Sequence, residues 1–307
     1  MTDTTDRPTR LIDLDAGRVE YRLDERGPAT VLMLHGGHMR AGIALGERVF
    51  ADAGHTVLAV SRPGYGRTPL STGTTPDRFA DVLAGLCARL GIGSLAAVVG
   101  QSAGGPTALA LAARHPELVE RLVLESAVGP LPWPARRTRL AAAAAFHPRT
   151  EAATWSLVRA LVRRAPGLVL RGLLADLSAR RPAEVLAALD GPARAALLGL
   201  FGRMRSGSGF GNDVRVMSAP DGARRRAAQA AGLRRPTLVI ASPDDGSVPY
   251  AHARSLADAV PDARLVASAA PSHLIWFGDA YRDTATAITD FLTGPRGTGA
   301  DRVRPGA

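Results

Sequence analysis

Lysine is absent from this 307-residue chain, so all 38 basic residues are arginine. In a sequence this rich in Ala and Gly, compositional bias accounts for part of the formal net charge of +10. Charge of that kind does not by itself indicate a polyanionic partner. No nucleic-acid-binding motif accompanies it, and no nucleic-acid role is expected. Cysteine is nearly absent too. Cys87 stands alone, which rules out an internal disulfide, and its helical surroundings, Leu83 to Leu90, read as a buried structural thiol. Long apolar runs are missing, and none could cross a bilayer. Residues 1–7 are polar and lack the apolar core of a signal peptide. A cytoplasmic protein without membrane attachment is expected.

What is present fits a globular chain. Apolar residues make up 46% and charged residues 21%, enough for a sizeable core in one large domain or one domain with an insertion. The basic charge is concentrated: residues 130–235 hold 19 arginines against 6 acidic residues. This suggests a stripe that steers anions, or a solvated helical face.

Ala97-Val98-Val99-Gly100-Gln101-Ser102-Ala103-Gly104-Gly105 organises the reading. An apolar strand ends in a G-x-S-x-G turn, and Pro106 to Ala113 follows as a helix. That is the strand–turn–helix setting of a nucleophile elbow, where glycines admit close backbone approach around a strained serine. Before it lie a hairpin over 11–23, buried strands at 30–34 and 56–60, and helices over about 43–53 and 76–91. After it comes the strand at 121–125. Strands alternating with helices predict a mostly parallel central sheet flanked by helices, an α/β fold with its chemistry at the carboxyl ends of the strands.

From Gly129 to Arg235 the pattern turns helical, with no strand and with Pro166, Pro182 and Pro192 marking helix starts. Ser206 to Asn212 reads as a flexible loop. The α/β pattern resumes at Pro236, with a possible last strand at 264–266 and a final helix near 278–292. The expected organisation is a core over 10–128 and 236–293, an inserted helical cap over 129–235, and disordered tails at 1–9 and 294–307.

A reactive serine needs a base, an acid that orients the base, and amide donors for an oxyanion. His273, in the loop after the last strand, is the base candidate. Asp245 is the acid candidate and Asp244 its rival, with turn chemistry the alternative for either. The amides of Ala103, at a helix N-terminus, and Gly37 are the oxyanion candidates.

Five segments carry a family resemblance: His35-Gly36-Gly37, Arg62-Pro63-Gly64-Tyr65-Gly66, Gly100 to Gly105, Asp245-x-x-Val248-Pro249 and Ser272-His273. With these the chain resembles the α/β-hydrolase superfamily, in its capped branch, over about 11–128 and 236–292. The D-x-x-V-P spacing selects Asp245 over Asp244. Two departures stand out. Ser242-Pro243 occupies the place where His-Gly usually precedes the acid. His38 follows Gly37, so the three-glycine turn of one lipase and esterase subgroup is absent.

The resemblance implies a triad of Ser102, Asp245 and His273, with no metal and no cofactor. Ser102 argues against the haloalkane and epoxide hydrolases, which carry aspartate there. The expected activity is hydrolysis of an ester, thioester or lactone of a small molecule, an anionic one if the arginine-rich segment steers it. Alternatives on the same triad are a C–C bond hydrolase, a perhydrolase or haloperoxidase-like enzyme and a cofactor-free oxygenase. A non-catalytic ligand receptor is the alternative from another class. His38, Trp155, Asn212 and Trp276 are candidate substrate contacts, with Arg136 a further pocket candidate.

Overall fold

The computed structural model describes residues 6–134, 139, 145–147 and 149–294. Its strands are β1 (Arg10–Leu14), β2 (Gly17–Asp24), β3 (Thr30–Leu34), β4 (Thr56–Val60), β5 (Leu95–Gln101), β6 (Leu122–Glu125), β7 (Thr237–Ala241) and β8 (Ala263–Ala267). They form one sheet in the order β1-β2-β4-β3-β5-β6-β7-β8. The hairpin strands β1 and β2 run antiparallel, and β2 meets β4 antiparallel. Every other neighbouring pair, from β4 to β8, is parallel. The mostly parallel sheet expected from the alternating pattern is therefore observed.

The inner strands read as unbroken apolar runs because helices cover both of their faces. Leu32 and Leu34 pack into one apolar layer with α2 (Pro76–Arg89), α3 (Gly105–Arg114) and α10 (Ala251–Ala259). Val31 and Met33 point the other way, toward α1 (Arg48–Asp52) and α11 (Tyr281–Thr293). Cys87 lies in the first layer, and burial pushes its thiol pKa up to about 12, as suits a structural cysteine.

Between β6 and β7 the chain runs through α4 (Glu151–Arg164), α5 (Pro166–Leu177), α6 (Pro182–Ala187), α7 (Gly191–Arg203), α8 (Gly209–Met217) and α9 (Pro220–Gly232). Proline stands in the first turn of α5, α6 and α7, where its missing N–H costs nothing. Helices α5 to α7 share one apolar cluster with Ile275, Trp276 and Phe277 of the loop before α11. This part of the insertion packs as an extension of the core.

Five local expectations are corrected. Residues 6–9 are tied to the body: Arg7 N–H donates to Gly42 O, and Thr9 Oγ1 donates to Glu20. The helix expected over 43–53 is shorter, Arg48–Asp52, and the final helix begins at Tyr281. The strandless insertion contributes one antiparallel bridge, Ser178 to Asp245. Ser206 to Asn212 is no loose loop. Ser206 is fully buried, α8 begins at Gly209, and Gly209 N–H donates to Gly64 O. Glycine there serves contact: a Cβ on Gly209 would sit 2.4 Å from the Tyr65 ring, and one on Gly207 2.3 Å from Gly64 O. Arg136 and the expected tail from 295 onward lie outside the described residues.

The sheet centre is set by backbone approach at the turn after β5. A Cβ on Gly104 would fall 2.1 Å from Leu34 O and 2.7 Å from His35 O, both main-chain atoms that cannot swing aside. Gly104→Ala is expected to cost about 3 kcal/mol, the upper end of the ordinary range of overpacking, or to abolish folding. Gly85→Ala, which meets nothing within 4 Å, tests the contrast by urea denaturation. A Gly104→Ala protein as stable as Gly85→Ala would contradict this account.

Candidate active site

Ser102 sits at the tip of the turn between β5 and α3 with φ +50°, a left-handed conformation strained for a residue with a Cβ. Its neighbours hold it there. A Cβ on Gly100 would meet Ala108 Cβ at 2.6 Å, and one on Gly105 would meet Ala127 Cβ at 2.6 Å. Ser102 O accepts from Val128 N–H at 3.1 Å. Gly36 faces the serine closely enough that a Cβ on it would lie 2.9 Å from Ser102 Cβ and 3.5 Å from its Oγ. Ala103 is buried in the short turn leading into α3. Gly37 lies against the Phe210 ring, with the Tyr65 hydroxyl beyond.

On the neighbouring loops, Asp245 Oδ2 lies 2.6 Å from His273 Nδ1, with both side chains buried. Asp245 Oδ1 accepts from the amides of Ser247 and Val248. With acceptors only on the carboxylate, the imidazole proton belongs on Nδ1, which leaves Nε2 as the basic nitrogen. Asp244 faces outward to Arg180, at 2.7 Å. The geometry therefore pairs His273 with Asp245, as the spacing predicted, and not with Asp244.

Both loops are stitched to the insertion. The amides of His273 and Gly246 donate to Leu177 O, Ala179 N–H donates to Asp244 O, and Ser178 Oγ donates to Pro271 O. Ser126, at φ +46°, donates its hydroxyl to His273 O. Nothing in the helical pattern of 166–187 signals that its first break reaches these loops.

The candidate substrate contacts separate into two groups. His38 and Trp155 are brought together by Ser206. Trp155 Nε1–H donates to Ser206 Oγ at 2.8 Å, and the same oxygen is 2.8 Å from His38 Nδ1. The buried hydroxyl proton has His38 Nδ1 as its acceptor among the described residues, so His38 carries its own proton on Nε2. Phe210, Phe146 and Trp155 surround His38, with ring centroids at 4.1, 4.6 and 5.2 Å. Burial there, then the Arg62 charge, push the His38 pKa down to about 3, which keeps the ring neutral.

Asn212 and Trp276 are not brought to that cluster. Asn212 donates to Thr74 O and accepts from Arg215. Trp276 meets His273 edge-on but directs its N–H to Glu125. Sequence reading missed the partner beside Asn212. Asp213 takes both Arg62 Nη atoms at 2.7 Å and the Tyr65 hydroxyl at 2.6 Å, while Arg62 Nε donates to His35 O. Burial opposes the Arg62 charge, but Asp213 keeps the guanidinium pKa above its usual value. This pair anchors α8 to the His35-Gly36-Gly37 turn.

Among the described residues, no group of three or more His, Cys, Asp or Glu side chains could hold a metal ion. Among the same residues, no helix is long and apolar enough to cross a membrane.

Comparison with known proteins gives three kinds of likeness. A family model described as the alpha/beta hydrolase fold matches residues 29–280. The uncharacterised hydrolase YcgS of Bacillus subtilis is 29% identical over 288 residues, covering 93% of this chain and 99% of that protein. A 2-hydroxy-6-oxononadienedioate/2-hydroxy-6-oxononatrienedioate hydrolase of Burkholderia vietnamiensis is 42% identical over 113 residues, 35% of this chain and 39% of that protein. Among solved structures, an alpha/beta hydrolase fold protein from Nakamurella multipartita superposes with a TM-score of 0.76 at 25% identity, over 93% of this chain and 99% of the other.

The Arg62–Asp213 pair yields a stability test. Asp213→Ala strands a buried guanidinium and is expected to cost about 3–5 kcal/mol. Tyr65→Phe removes one of several bonds to Asp213 and is expected to cost about 1 kcal/mol. Urea denaturation of both variants checks the ranking; equal losses would contradict it.

Proposed function

The chain belongs to the alpha/beta hydrolase fold family, and from that premise we propose that it is a serine hydrolase cleaving a carboxylic ester, thioester or lactone of a small molecule. The observation that carries the reading is the buried Asp245–His273 hydrogen bond, which leaves His273 Nε2 free for a proton. In the proposed mechanism Ser102 Oγ attacks the substrate carbonyl as His273 Nε2 takes its proton. Asp245 keeps the imidazole oriented and stabilises its charged form. The amides of Gly37 and Ala103 receive the developing oxyanion, aided by the positive end of α3. His273 then returns the proton to the leaving group, and a water activated by the same nitrogen releases the acyl group.

The proposed substrate-binding surface is the aromatic cluster of His38, Phe146, Trp155 and Phe210. Neutral His38 offers it one N–H donor. Ring surfaces with a single donor suit a flat or apolar acyl group that carries a hydrogen-bond acceptor. An anionic substrate, a cytoplasmic location and the division into core and cap at residues 129–235 remain part of this proposal.

C–C bond hydrolysis is the second reading. It is favoured by the local likeness to the Burkholderia vietnamiensis hydrolase, whose name describes an oxo-dienedioate substrate. Hydrolysis rates on p-nitrophenyl esters, a γ-lactone and a vinylogous 1,5-diketone acid separate the two. Ester or lactone turnover is expected to dominate, and Ser102→Ala is expected to lower kcat by about 10⁶. Ester hydrolysis retained in Ser102→Ala would end the assignment, and preference for the diketone would transfer it to the second reading.

A further inference from the structure

Beside the nucleophile turn, at the end of β6, lies a carboxyl group that the proposed mechanism does not use. Glu125 is the last residue of β6 and is fully buried. Its Oε2 accepts from Gln101 Nε2 at 2.8 Å and from Trp276 Nε1 at 2.9 Å. The other Gln101 proton goes to Leu45 O at 3.0 Å. Two oxygens are then left over: Glu125 Oε1 and Gln101 Oε1 are both buried without a hydrogen-bond partner. Every N–H in the cluster is spent, and one donor is missing.

The partners of Glu125 flank the reacting residues. Gln101 immediately precedes Ser102. Trp276 follows His273 by three residues, and the two rings meet edge-on with centroids 6.4 Å apart. The titratable groups around the carboxyl are His273, on the loop beyond Trp276, and Tyr281 of α11, whose hydroxyl donates to Gly46 O. From β5 it takes the Gln101 amide, which in turn bonds to Leu45 O, and on β7 it pairs with Ile240. No cation among the described residues partners it. An ionised carboxylate in such a place carries a large desolvation cost, whereas a neutral acid does not.

We propose that Glu125 is held as a neutral carboxylic acid whose Oε1 proton supplies the missing donor, and that it acts as a positioning residue tying the Ser102 turn to the His273 loop. The role rests on Ser102 and His273 being the reacting pair. A primary amide and a carboxylic acid are complementary in this sense: the amide N–H serves the acid carbonyl, and the acid O–H serves the amide carbonyl. Burial pushes the carboxyl up to about 7, with the two hydrogen bonds to Oε2 acting in the opposite direction. Because the folded value lies above the ordinary 4.5, the stabilisation is complete below 4.5 and is lost as pH rises through about 7.

Infrared difference spectra of the whole enzyme between acid and alkaline pH test the protonation state directly. A carboxylic-acid carbonyl band that titrates near neutrality and is missing from Glu125→Gln is expected. Glu125→Gln keeps a donor and an acceptor, so it should hold kcat within about threefold at pH 6.5. It should also lose both the alkaline decline in kcat and the alkaline fall in Tm. Glu125→Leu should lower kcat by about 10- to 100-fold with KM little changed, the cost of a slightly misplaced pair. The absence of that infrared band, as for a carboxylate bridged by buried water, overturns the proposal. So does a Glu125→Gln enzyme as impaired as Glu125→Leu. If Glu125→Leu fails to fold, the spectra and Glu125→Gln decide alone. If the native chain hydrolyses no ester, the reading of its activity fails, while the infrared titration still decides the state of Glu125.

Discussion

The close approach of the β5–α3 turn to the end of β3 is the constraint on which the rest of the molecule depends. Gly104 lies on the carbonyls of Leu34 and His35, Gly100 on Gly105, and Gly36 on Ser102. No side chain larger than hydrogen fits at these contacts. They bring the candidate oxyanion turn within reach of the serine and force Ser102 into a left-handed conformation. Strain at one residue is sustained because the surrounding backbone leaves no alternative.

The inserted helices take part in the site and do more than cover it. Leu177 and Ser178 hold the loops of Asp245 and His273, while Asp213 holds the loop of His35 through Arg62. Ser206 fixes the tautomer of His38. Because α5 to α7 share an apolar cluster with the loop after His273, displacing them would expose core surface. The segment that packs on the core is thus the one that holds the two loops in place.

Much of this was legible in the sequence. Buried parallel strands announce themselves as continuous apolar runs, and the elbow by its glycines and its strand–turn–helix setting. The D-x-x-V-P spacing singled out Asp245, which the geometry pairs with His273. Other features were illegible for physical reasons. Gly207 and Gly209 look like flexibility when read locally, because the Tyr65 ring and Gly64 they pack against are distant in sequence. Asp213 resembles any helix-surface acid until Arg62 is placed opposite it. Glu125 ends an ordinary strand, and only the surrounding donors and acceptors reveal an incomplete hydrogen-bond set. Asn212 drew attention as a polar residue in a loop, but its side chain is engaged by Thr74 and Arg215.

The central claim is that Ser102 is activated by the His273–Asp245 pair. Incubation with a fluorophosphonate, followed by peptide mapping of the phosphonylated residue, tests it most directly. The account predicts a single adduct on Ser102 in the native enzyme and loss of labelling in His273→Ala. Labelling elsewhere, or undiminished labelling of Ser102 without His273, would contradict it.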